Sequence, residues 1–170
     1  MKQFIKQHKI IFLAVLLLIF VIGSIACVNY LAQKEYAEQM DKLGQLESLD
    51  AEYTFISIKS YHTSPTITIN TNQEPITISL ETREQLIKLL HTVEYQGVVR
   101  NRNFFSDFVL SDSKRYSIVF NCNGSGFVPM IYVQFFISED DNLNMIDGEP
   151  YIAVKKNPEL LKFLDELFTN

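Results

Sequence analysis

VPMIYVQFFI, residues 128–137, is the stretch on which the fold turns. It carries no charge, is rich in β-branched and aromatic residues, and places apolar side chains at both odd and even positions. Strand side chains alternate between faces, so such a run predicts a central strand covered on both sides. The chain around it must therefore supply at least one more strand and two covers. The segment NCNGSG, residues 121–126, just upstream reads as a turn. Its Gly124-Ser125-Gly126 lacks the spacing of a nucleophile elbow or of a dinucleotide-binding loop.

Moving upstream, residues 105–110 and 115–121 read as two strands of a hairpin around the turn SDSK. They are preceded by VVRNRNFF, residues 98–105, where Arg100, Arg102 and Phe104 form a candidate partner contact in an otherwise solvated loop. Thr82-Arg83-Glu84-Gln85 has the form of a capping box and predicts a helix start. Leu86, Leu89, Leu90 and Val93 then make an apolar stripe, with Arg83, Glu84 and Lys88 toward water and His91 near the helix end. Residues 53–60, 66–70 and 76–80 are short, rich in Ile and Thr, and alternate as half-buried antiparallel strands do.

Downstream, SEDDNLNMIDGE (residues 138–149) offers Asp140, Asn142 and Asn144 at the first, third and fifth places of an EF-hand loop. Met145 then stands where that loop needs glycine and Tyr151 where it needs the closing Glu, so the stretch reads as a solvated hairpin connection. A short strand to Val154 follows. Asn157, Pro158 and Glu159 start a final helix in cap, N1 and first-turn positions, with Leu160, Leu161, Leu164, Leu167 and Phe168 as its apolar stripe.

The outermost element is the N-terminal one. IIFLAVLLLIFVIGSIACV, residues 10–28, is uncharged for nineteen residues, about 28 Å as a helix and close to the roughly 30 Å of a bilayer core. Lys2, Lys6 and Lys9 precede it, so residues 1–9 are expected in the cytoplasm and the bulk of the chain outside a cell membrane crossed once. Small residues at Ser24 and Ala26 leave two alternatives, cleavage as a signal sequence or lipidation at Cys27. Residues 29–50 read as a helical stalk, with Tyr36, Met40 and Leu43 on one face and Leu46 and Leu49 continuing it approximately, and residues 51–170 as one extracytoplasmic domain.

Three of the fifteen Lys and Arg lie before residue 28 with none of the twenty Asp and Glu, so the remainder carries a formal −8. That balance disfavours nucleic acid and anionic surfaces as partners. With Cys27 in the anchor, Cys122 stands alone in the domain and no disulfide forms within it. A thiol nucleophile at Cys122 needs a base, and His62 or His91 are the histidines of the extracytoplasmic domain. No cofactor or metal motif is present in the sequence.

The order of a lysine-flanked apolar start, strands, the TREQLIKLL helix, paired strands, GEPYIAV and a C-terminal helix resembles a group of small uncharacterised extracytoplasmic proteins of low-GC Gram-positive bacteria. Glu149, Pro150 and Tyr151 carry part of that group's E-x-P-Y segment. The resemblance implies location and an α+β fold and transfers no site. The sequence thus predicts an antiparallel sheet with two packed helices behind a transmembrane helix and stalk. The expected function is a noncatalytic binding or accessory module for a protein, peptide or cell-wall partner. The alternatives are an envelope hydrolase or thiol enzyme using Cys122 with His62 or His91, and a structural subunit of a membrane complex.

Overall fold

The computed structural model describes residues 2–48, 54–61, 79–99, 103–122 and 130–169. Its longest element is α1 (Lys2–Ser48), 47 residues of unbroken helix spanning about 70 Å. Nothing in that stretch breaks a helix: the first proline of the chain is Pro65. One part of α1 is long and apolar enough to cross a membrane, and its most apolar window is wholly outside the packed body.

The rest is an α+β body. β1 (Thr54–Tyr61), α2 (Leu80–Leu90), β2 (Tyr95–Val98), α3 (Phe104–Leu110), β3 (Arg115–Cys122) and β4 (Ile131–Ser138) follow in turn. A 3₁₀ turn (Asp141–Leu143), β5 (Met145–Ile146), β6 (Ile152–Val154) and α4 (Pro158–Thr169) complete it. The six strands form one antiparallel sheet in the order β1-β3-β4-β5-β6-β2. As its sequence requires, β4 is interior to the sheet and buried on both faces over Phe135–Ser138.

The two faces are covered differently. Ile118 and Phe120 of β3, Val133 and Phe135 of β4, and Ile152 and Val154 of β6 point into a large core shared with α1, α2 and α4. Leu43 and Leu46 of α1, Leu86 and Leu90 of α2, and Leu160 and Leu164 of α4 are fully buried there. The opposite face carries a smaller cluster, in which Phe104 and Phe108 of α3 pack on Phe136, Leu143 and Met145. Phe108 and Phe136 meet edge to face with centroids 5.2 Å apart, a favoured geometry for aromatic pairs.

Several local expectations change. Residues 105–110 are helical as α3, not a strand: Phe104 and Phe108, four apart, turn inward together while Ser106 and Asp107 face water. A hairpin partner there has no ladder to join, because both edges of β3 are taken by β1 and β4. The α2 cap is Ser79, one turn earlier than Thr82, and its hydroxyl accepts from the Thr82 N–H. Leu80 is accordingly helical, and the rest of the expected strand at 76–80, apart from the cap Ser79, lies outside the described residues, as does that at 66–70. Arg83 is buried rather than wet, its Nη2 donating to the Leu46 carbonyl at 2.6 Å near the C-terminal end of α1. The 138–149 connection contains β5, which pairs with β4. At α4, Asn157 caps as its position predicts, its Oδ1 accepting from the N–H groups of Glu159 and Leu160.

Candidate functional site

The candidate site is a groove of about 950 Å³ along β2, at the end of the sheet order. β2 has β6 as its ladder neighbour, and among the described residues no second strand pairs with it. One wall is the strand, Gln96 to Val98, with Val99 just beyond it. A second is α3, through Asp107 and Leu110, and a third is the 3₁₀ turn, through Asp140, Asp141 and Asn142. Asn29 of α1, the first residue after the apolar run, also lines it.

Local sequence builds each wall. The β2 register shifts between Tyr95 and Gly97, a bulge, and Gly97 has φ +150°, a conformation that side chains rarely adopt. Arg115 fixes α3 from beneath: it is 1% exposed, and its Nη1 and Nη2 donate to the carbonyls of Phe108 at 2.5 Å and Tyr61 at 3.3 Å. A cation is well placed near the C-terminal end of a helix. Burial lowers the pKa of Arg115, opposed by the charges of Asp112 and Tyr61. The 3₁₀ turn is held by Asp140, whose carboxylate accepts from the Asn142 N–H, and by Asn144, which bridges the Ser138 N–H and the Asp140 carbonyl.

Carboxylates and amides dominate the polar lining, and no Lys or Arg is among the described residues that line it. Val98, Val99 and Leu110 supply apolar surface beside them. An open strand edge offers main-chain donors and acceptors in a row, so a groove of this composition suits an extended peptide segment of neutral or positive character.

The residues singled out by sequence do not assemble into one centre. Phe104 is interior, 3% exposed, and packs on Phe108 and Phe136, so its side chain is no surface contact; Phe105 beside it is exposed. Arg100 and Arg102 lie outside the described residues, as does His62. Cys122 is wholly buried in the large core. His91 is exposed at the C-cap of α2, and Cys27 is exposed on α1. Among the described residues no three His, Cys, Asp or Glu converge as a metal site. The groove walls were hard to foresee, because β2 is four residues with a glycine inside; Gly97 itself is the signal that hints at a bulge.

A second polar cluster is structural. Tyr116 of β3 donates to Asp165 of α4, whose other oxygen is 2.7 Å from Lys114 Nζ. Burial, and then the Asp165 carboxylate, push the Tyr116 phenol well above its usual range, so it stays a neutral donor latching α4 to the sheet.

No family model, curated protein or solved structure matches the chain.

Proposed function

We propose that this protein is a membrane-anchored, extracytoplasmic, noncatalytic binding module that captures an extended segment of a protein or peptide partner along β2. The observation that supports this reading is the coincidence of an open strand edge with a groove lined by carboxylates, amides and apolar side chains. Main-chain pairing supplies affinity in such sites and the flanking side chains supply selectivity. Arg100 directly follows the groove residue Val99 in the chain.

The anchor in this reading is the apolar part of α1, with the lysine-bearing start in the cytoplasm. Protease added to intact cells is then expected to degrade the domain, and the intact mass of the mature chain distinguishes a retained anchor from cleavage or lipidation at Cys27.

The partner test is crosslinking in cells followed by detergent purification of the full chain. Asp107→Lys with Leu110→Lys changes two exposed groove side chains, and the expected result is loss of the crosslinked partners. Arg100→Ala with Arg102→Ala is expected to weaken the same set. Partners unchanged by both pairs would remove the groove from consideration.

A further inference from the structure

The apolar run of α1 ends at Val28, and the packed body begins almost at once. The Tyr95 hydroxyl reaches the Asn29 carbonyl at 3.4 Å, Asn29 lines the β2 groove, and Ala32 has no exposed surface. Because α1 is continuous, four residues from Val28 to Ala32 raise the chain by only about 6 Å. A bilayer's headgroup layer is roughly 5–8 Å deep on each side. No linker lifts the body clear of it.

We propose that the base of the domain, at Tyr30, Tyr95 and Gln96, rests within the lipid headgroup layer of the membrane that α1 spans, making that layer a partner of the folded body. The inference rests on α1 being the membrane span. Tyr30 is 67% exposed one residue beyond Asn29, and Tyr95 meets α1 at the same level. Tyrosines are favoured at this depth, since the ring is apolar and the hydroxyl wet. The β2 groove therefore stands at the lipid surface, and its ligand is met beside the membrane rather than in bulk solvent.

The chain contains no tryptophan, so a single introduced one reports depth without background. Four full-length variants are placed in phosphatidylcholine vesicles: Ile19→Trp in the apolar run, Tyr30→Trp and Gln96→Trp at the base, and Gln45→Trp as the distant control. Gln45 is exposed and sixteen residues beyond Asn29, about 24 Å farther along the helix. Lipids brominated in the acyl chain are expected to quench Ile19→Trp. Lipids with a headgroup nitroxide are expected to quench Tyr30→Trp and Gln96→Trp at least twofold more than Gln45→Trp. If Ile19→Trp is quenched from the acyl chain while Gln96→Trp behaves like Gln45→Trp, the span stands and the seating is overturned. If Ile19→Trp escapes the brominated lipid, the span fails and the seating fails with it.

Discussion

Two parts of one helix carry two different surfaces. From Ile10 to Val28, α1 is apolar around its whole circumference and its large side chains are exposed, Phe20 to 73%. From Asn29 onward the same helix is polar on most sides, and only a stripe of Ala32, Gln39, Leu43 and Leu46 is buried, with Tyr36 and Met40 beside it. A single apolar stripe is what a protein core demands, whereas apolar character all round is stable in lipid. The helix is continuous through Asn29; what changes there is the side-chain pattern and whether it is packed against the body.

The largest consequence is a difference in what each part contributes to the folded body. Leu46 is fully buried, and replacing a buried leucine by alanine costs about 3–5 kcal/mol through lost burial and the cavity left behind. Leu46→Ala is therefore expected to lower the unfolding midpoint of the detergent-solubilised chain sharply. Leu17→Ala, on the exposed part, is expected to leave that midpoint within about 0.5 kcal/mol of the parent. Near-UV circular dichroism of the tyrosines during denaturation measures both. Equal effects would break the distinction, because residues 29–46 would then no longer belong to the core.

A smaller effect is expected at the joint between α1 and α2. Arg83 is buried and donates to the Leu46 carbonyl. Arg83→Met keeps much of the apolar stem but leaves that carbonyl without this donor, a loss of about 1–3 kcal/mol. The same denaturation curves read it, and a midpoint unchanged from the parent would show that water takes the donor's place.

The helix stripes and the long strands were legible because their periods are long enough to see. Leu86 and Leu90 on α2, Leu160 and Leu164 on α4, and the two-sided burial of the C-terminal half of β4 follow from spacing alone, whereas Met130 and Tyr132 of the same stretch are exposed. Arg83 was misread for a physical reason: helical position gives its face, but not that a carbonyl at the end of α1 awaits it. α3 was misread because seven residues with Phe at 104, 105 and 108 fit either period, and the ladder arrangement of β3 decides between them. The groove was beyond reach because its walls come from five segments, α1, β2, α3, the 3₁₀ turn and Ala153 of β6.

The finest test of the division lies where β5 runs out beneath α1. A Cβ added at Gly148 would lie 2.9 Å from Cγ of Glu35, so the Glu35 side chain of α1 packs closely on this turn. Asp147 beside it is half-buried, and its pKa is raised: burial is the main cause, Glu149 adds to it, and a hydrogen bond from the Gly148 N–H opposes it. A carboxyl with a raised folded-state pKa favours the fold most when protonated. Its contribution is complete below the ordinary aspartate value of 3.8 and is lost as pH rises through the folded value, so at neutral pH the charge works against folding. Asp147→Asn keeps an oxygen for the Gly148 N–H and carries no charge at any pH. It is expected to raise the melting temperature slightly at pH 7, within the roughly 0.5 kcal/mol typical of partly exposed sites, and to lose that advantage in acid. A gain that persisted below the ordinary carboxylate range would assign the effect to packing against α1 instead of to charge.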